Sequence, residues 1–201
     1  MGLTINTATN LLKQIVGKTG STASYLALSS TEPYPNGDAP DDKGYNITEP
    51  ASGTSYARVP IGSYFPDAVE VNPQQSPLSS GFTVSIKNSN EIHFPEALQN
   101  WGTYKWFAIY DGTGVNAGVK YVGELLKFTQ DTEVNAENYA SKVESGLYYF
   151  DNIQNDYIKI TVEPYDASGN TKYYYKDDSG IDIEEGTVPL VRKGYLKISV
   201  Q

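Results

Sequence analysis

Helical periodicity is clear at one place in this chain of 201 residues, near the N-terminus. There Ala8, Leu11, Leu12, Ile15 and Val16 recur at helical spacing, with Asn6 or Thr7 available as an N-cap and Gly17 as a left-handed stop. Nearly everywhere else, short aromatic or β-branched runs alternate with Gly, Pro, Asn and Asp. A chain of this kind is restricted to strands joined by turns. The 17 Tyr, 18 Gly and 11 Pro fit that restriction, since aromatic rings suit a pleated surface and Gly and Pro punctuate it. The expected fold is therefore all-β in the main: an antiparallel β-sandwich with one short N-terminal helix and a β-rich insertion.

Strand-like runs fall at Tyr25–Ser29, Ser55–Ile61, Phe82–Lys87, Glu91–Phe94, Tyr104–Tyr110 and Lys120–Phe128. Asn88-Ser-Asn90 reads as a tight hairpin between the third and fourth runs, and Asp111-Gly-Thr-Gly114 as the hairpin joining the fifth and sixth. A long Pro-, Gly- and Asp-rich loop spans Thr31 to Gly53. After Thr129 the character changes. A polar, helix-compatible piece, Glu133–Val143, leads to strands at Gly146–Phe150, Tyr157–Glu163 and Lys172–Lys176, with a turn at Asp166-Ala-Ser-Gly169 between the last two. The chain closes on the alternating strand Tyr195–Val200.

The formal charge of −9 and the absence of a clustered Lys/Arg stripe argue against nucleic acid as a partner. No stretch approaches the ~18 apolar residues that cross a bilayer, and no charged segment followed by an apolar run opens the chain, so neither membrane insertion nor a signal peptide is expected. With no Cys there is no disulfide and no thiolate chemistry, and with one His a zinc site lacks ligands.

Reactive candidates are few. Gly17-Lys-Thr19 lacks the upstream glycine of a phosphate loop and follows a helix rather than a strand. His93 sits between Ile92 and Phe94 and should face away from them, towards solvent. Asp38, Asp41 and Asp42, and later Asp177, Asp178, Asp182, Glu184 and Glu185, could supply oxygen ligands for calcium, but their spacing matches no EF-hand and solvated charged turns account for them. No cofactor is expected. Trp101, Trp106, Tyr56 and Phe94 are candidate core anchors. Arg58 is expected to pair with Glu32 or Glu49. Leu11, Leu12, Ile15 and Val16 form an apolar stripe that can cover its own domain or dock on a neighbouring subunit. Tyr148, Tyr149, Tyr173, Tyr174 and Tyr175 can pack a sheet, or meet a partner protein or glycan.

Six short signatures occur in fixed order: Leu26-Ala-Leu-Ser29, Thr48-Glu-Pro50, Tyr56-Ala-Arg-Val59, Ile92-His-Phe-Pro95, Trp101-Gly-Thr103 and Phe107-Ala-Ile-Tyr-Asp111. Tyr121, Gly123 and Leu125 continue them, and Gly186 and Gly194–Ser199 close the chain. Together they resemble a family of small tailed-bacteriophage virion proteins, the tail-fibre proteins. The resemblance spans residues 3–126 and 186–201. It implies an N-terminal helix and linker (1–22), a β-sandwich core (23–128 and 186–201) and an inserted β-rich subdomain (129–185). It further implies a non-enzymatic structural part of the virion, in a tail fibre or near the baseplate. Its partners would be other virion proteins and further copies of itself. A capsid-decoration role, or glycan recognition at the host surface by the insertion, are the alternatives.

Overall fold

A computed structural model describes residues 3–20, 22–33, 45–73, 82–151, 156–161 and 164–200. Among them the chain is all-β in the main, with fifteen strands in antiparallel sheets and two α-helices. It divides into two compact units: Met1–Leu125 with Ser179–Gln201, and Leu126–Asp178.

The first unit begins with α1 (Ile5–Ile15), whose N-cap is Thr4, two or three residues before the Asn6 or Thr7 that the sequence suggests; its hydroxyl accepts from the Thr7 amide at 3.2 Å. Strands β1 (Tyr25–Ser29), β2 (Val59–Pro60), β7 (Trp106–Tyr110) and β8 (Val119–Glu124) form a sheet in the order β2-β1-β7-β8. Here β1 and β7 are the central strands. Leu26, Ala27 and Leu28 pair with Ile109, Ala108 and Phe107, and all six are buried on both sheet faces, which explains two unbroken apolar runs. The expected turn after Asp111 does join β7 to β8, with a bulge at Ile109/Tyr110. A second sheet runs β15-β4-β3, from Lys197–Val200, Phe82–Lys87 and Glu70–Pro73. Two ribbons complete the unit: β5 (Ile92–His93) with β14 (Leu190–Val191), and β6 (Gly102–Tyr104) with β13 (Ile181–Ile183).

Two close approaches explain glycines of the sequence pattern. Gly17 has φ +77, and a Cβ there would lie 2.8 Å from the Ser24 amide nitrogen. At Gly123 the constraint is steric alone: the Phe107 ring lies over it, and a Cβ would come within 2.8 Å of two ring carbons.

Two further expectations change in this unit. Asn88-Ser-Asn90 does not close a hairpin between β4 and β5, since β4 pairs with β15 and β3 while β5 pairs with β14. The buried Asn88 side chain instead fastens the distant C-terminal segment: its Nδ2 donates to Arg192 O at 2.9 Å and its Oδ1 accepts from the Leu196 amide at 2.9 Å. The run at 55–61 is a strand only over Val59–Pro60. Of the two places open to the apolar stripe, α1 takes its own unit: it packs on β4 and β15 with Leu12, Ile15 and the C-cap Val16 buried, while Leu11 is 38% exposed. Burial of three aliphatic side chains against a sheet already present is worth several kcal/mol, on the order of 1.5–3 each, so the helix is held at home.

The second unit holds β9 (Phe128–Gln130), α2 (Tyr139–Glu144), β10 (Leu147–Asp151), β11 (Asp156–Lys159) and β12 (Tyr173–Lys176), in the sheet order β11-β10-β12-β9. The turn at Asp166–Gly169 closes no hairpin between β11 and β12, because β10 lies between them. Its own core gathers Tyr139, Leu147, Ile160 and Tyr173, with Val134, Val143, Tyr149 and Tyr165 packed around them. Its ends are stapled: Asp177 N donates to Lys127 O at 2.8 Å, and Lys127 Nζ lies 2.9 Å from the Asp177 carboxylate. Residues 181–183, expected inside the insertion, pair with β6 of the first unit.

Candidate functional site

The six signatures, scattered through the sequence, meet in the first unit. Ser29 Oγ donates to Thr31 O at 2.8 Å and accepts from the Thr48 amide at 3.1 Å, fastening the Leu-Ser turn to the Thr-Glu-Pro loop. From that loop Glu49 grips Arg58: Nη2 to Oε1 at 2.6 Å, and Nε to Oε2 at 3.1 Å. The guanidinium stacks over the Tyr110 ring at 3.5 Å, and its Nη1 donates to Gly112 O and Gly114 O at 3.2 and 3.4 Å. Arg58 therefore holds the β7–β8 turn as well as the loop, and Glu49 is the partner among the two expected. Burial works against its charge, yet the Glu49 hydrogen bonds and charge outweigh that and raise its pKa.

Tyr56 stands beside this pair. Its hydroxyl accepts from the Leu28 amide at 3.1 Å, and its ring stacks on Phe94 and meets Trp101 edge-on at 5.3 Å. Burial first, and then the charge of Glu49, push the Tyr56 phenol well above its ordinary value. Trp101 is buried, with Nε1 donating to Thr54 O at 2.9 Å. Phe94 is buried too, whereas Tyr56 and Trp106 are half-buried. Nothing in this constellation resembles an activated nucleophile. The polar groups of Ser29, Glu49, Arg58, Tyr56 and Trp101 are each committed to a loop, a turn or a neighbouring strand.

The tyrosines of the second unit separate by the period of two that governs strands. Tyr149 and Tyr173 lie opposite each other on the face covered by α2, and Tyr173 is buried with its hydroxyl accepting from the Asp166 amide at 3.0 Å. Tyr175 shares that face but lies beyond the core, 44% exposed, on the wall of a depression of about 420 Å³ with Asp131, Ser141, Lys142, Ser145, Gly146 and Leu147. There Lys142 Nζ lies 2.7 Å from the Asp131 carboxylate. Burial would raise the Asp131 pKa, but the Lys142 hydrogen bond, the Glu133 amide and the Lys142 charge together lower it. Tyr148 and Tyr174 point the other way. They join Phe128, Phe150 and Tyr157, with Phe128 stacked on Tyr157 at 4.0 Å and Tyr174 edge-on to Tyr157 at 5.0 Å. Phe128, Phe150 and Tyr157 were missed as candidates, although Phe150 stands two residues from Tyr148 and the alternation marks it.

The remaining candidates are dispersed. His93 is half-exposed, with Nε2 3.6 Å from the Glu91 carboxylate. Asp177 pairs with Lys127, Asp178 with Lys176, and Asp182 accepts from Thr103 Oγ1 at 3.1 Å. Among the described residues no three acidic or His side chains gather as a metal site, and no helix is long and apolar enough to cross a membrane. Asp38, Asp41 and Asp42 lie outside the described residues.

Residues 2–140 match the family model described as podophage GP4 fiber I protein gp80. The chain belongs to this phage fibre family. The match takes in α1, the whole Arg58–Tyr56 constellation and β8, then continues through β9 to the start of α2. It reaches beyond residue 126, where the sequence resemblance pauses, and does not include 186–201. A fibre family carries with it a structural role, a place in the virion and contacts with other virion proteins. No curated protein and no solved structure gives a significant match.

Proposed function

We propose that this chain is a non-enzymatic component of a podophage tail fibre, present in a small symmetric number of copies and seated against other virion proteins. The observation that carries the reading is the fibre-family match over residues 2–140. The geometry agrees with it, because the residues of the sequence pattern lock loops together rather than converge on a reactive centre. Localising the chain in a cryo-EM map of the intact particle tests the placement. A copy number that is a small multiple of three or six at the tail is expected. Hundreds of copies on the head would make it a decoration protein instead.

A second reading concerns the second unit. The exposed Tyr175 ring beside the Asp131–Lys142 pair and a depression of about 420 Å³ has the mixed aromatic and polar lining that a sugar requires. Glycan recognition at the host surface is therefore proposed for this unit alone. A glycan array with the isolated full chain, repeated with Tyr175→Ala, tests it. No binding to any glycan, or binding unaffected by the substitution, removes this reading and leaves the fibre placement standing.

A further inference from the structure

The geometry points to a further binding site in the Leu126–Asp178 unit: a tyrosine-walled pocket, closed at one side by the Asp166 turn, that takes a quaternary ammonium group. It shares no lining residue with the depression beside Tyr175, and it stands whether or not that depression receives a glycan.

The walls come from three elements. Tyr149 of β10 and Tyr173 of β12 oppose each other in register, and the period of two puts both on the face that α2 covers. Tyr139 opens α2, and its ring meets that of Tyr173 at 5.6 Å with the planes tilted by 60°. Tyr165 packs against both, at 5.5 Å from Tyr139 and stacked on Tyr173 at 6.1 Å. Among the described residues Tyr149 makes no ring contact with this trio. A cavity of about 180 Å³ is bounded instead by Tyr139, Tyr149, Tyr173, Ile160, Asp166 and Thr171. Cavities of roughly 150 Å³ hold a benzene-sized guest, whereas drug-sized ligands need about 300 Å³ or more. The pocket is therefore sized for one small group.

Asp166 supplies the charge. Its Oδ1 accepts from the Ser168 amide at 2.9 Å and from the Ser168 hydroxyl, and its Oδ2 accepts from the Thr171 amide and hydroxyl, both at 2.8 Å. All four donors are neutral. The two hydroxyls first, and then the two amides, hold this carboxyl well below the usual carboxylate range, and none of them cancels its negative charge. Asp131, Asp177 and Asp178 of the same unit each face a lysine. Asp166 has no basic side chain within ion-pair distance among the described residues. Its own amide donates to the Tyr173 hydroxyl at 3.0 Å, which fastens the charged turn to the ring wall.

Rings and charge together select the guest. A cation against tyrosine faces is attracted by the ring quadrupole, more strongly where water is partly excluded, and aromatic pockets use this attraction to recognise quaternary ammonium groups. The carboxylate adds a Coulombic attraction that reaches further. A carboxylate has about four lone-pair positions, and at Asp166 protein donors face all of them. A primary ammonium entering here gives up water and finds no free lone pair on Asp166, a cost that a quaternary ammonium, with no N–H, does not meet. A neutral guest of the same shape gains apolar contact alone.

The test titrates the full-length chain with choline chloride at constant ionic strength and follows the Asp166, Thr171 and Tyr173 amides by NMR. Saturable shifts at these amides are expected. Protonated ethanolamine, and dimethylbutanol as the neutral carbon analogue of choline, should each bind about tenfold more weakly or worse. Absence of saturable shifts, shifts confined to the residues around Tyr175, or either comparison compound binding as tightly as choline overturns the proposal. Tyr149→Leu keeps an apolar side chain on the half-buried wall but removes its ring, and should weaken choline about tenfold while leaving dimethylbutanol nearly unchanged; undiminished choline affinity overturns the site. Asp166→Asn should act in the same direction by removing the charge, and choline affinity retained in a folded Asp166→Asn chain also overturns it. The comparison of choline with dimethylbutanol needs no variant, so it decides even where a substitution fails to fold. None of these measurements depends on the fibre placement or on the glycan array.

Discussion

Arg58 shows how a single side chain can hold a loop, a turn and an aromatic ring at once. Its side chain is 13% exposed and that of Glu49 20%, so the pair is largely withdrawn from water. Lysine cannot reproduce the fork that meets Glu49, Gly112 O and Gly114 O together. Arg58→Lys is expected to cost about 2–3 kcal/mol, below the ~3–5 of a fully buried pair broken on one side, measured by urea unfolding. Trp101→Ala removes a buried ring together with its bond to Thr54 O and its contact with Tyr56, and should cost about 3–5 kcal/mol. An unchanged urea midpoint would contradict the core position of this ring. Tyr56 adds a pH signature. Its folded pKa lies above the ordinary value of 10.0, so the folded state retains its phenolic proton more tightly than the unfolded chain does. That contribution is complete below pH 10 and is lost as the pH rises above it. Stability should therefore fall on the alkaline side, and Tyr56→Phe should make the fall shallower; an identical slope in the variant would exclude Tyr56 as its source.

At the scale of elements, α1 and β8 are both placed by what lies beneath them. An isolated helix of eleven residues is marginal in water, so α1 depends on β4 and β15 for its stability. Leu12 is completely buried, and Leu12→Ala should cost about 2–5 kcal/mol, whereas Leu11→Ala, on the exposed side, should stay within about 0.5. Comparable losses at the two positions would mean that α1 is rotated from this arrangement. Deleting residues 1–16 should accordingly lower or abolish the melting transition itself, rather than spare folding and affect assembly alone. In β8, Gly123 is small because the Phe107 ring needs its space. Gly123→Ala should displace that ring and cost about 1–3 kcal/mol.

For the whole molecule, the question is whether the chain contains one folding unit or two. The second unit enters and leaves through neighbouring strands, with Lys127 and Asp177 bonded together. Replacing 126–178 by a short Gly-Ser linker therefore closes a small gap, and the remainder should unfold cooperatively near its original temperature. Excising 129–185 should fail, because it also removes β13, the partner of β6, and with it the Ile183 carbonyl that accepts the Trp101 amide at 2.9 Å. Two truncations that behave alike would disprove the boundary at Asp178.

Much of this fold was legible in the residues themselves. Leu26–Leu28 and Phe107–Ile109 read as strands because both faces of a central strand are apolar, and the Gly17 stop and the Asp111 turn are local backbone chemistry. The division of the tyrosines was also present, since Tyr148 and Tyr174 alternate with Tyr149 and Tyr173. Sequence could not choose which strand β4 would meet, because a turn such as Asn88–Asn90 permits a hairpin and only the competition with the C-terminal strand decides against it. Nor could it say where the α1 stripe would dock, since the same apolar surface fits its own sheet or a neighbour's. Local periodicity determines which face of an element is apolar. What covers that face is a contact between residues far apart in the chain, and in this protein only the tertiary structure decided it.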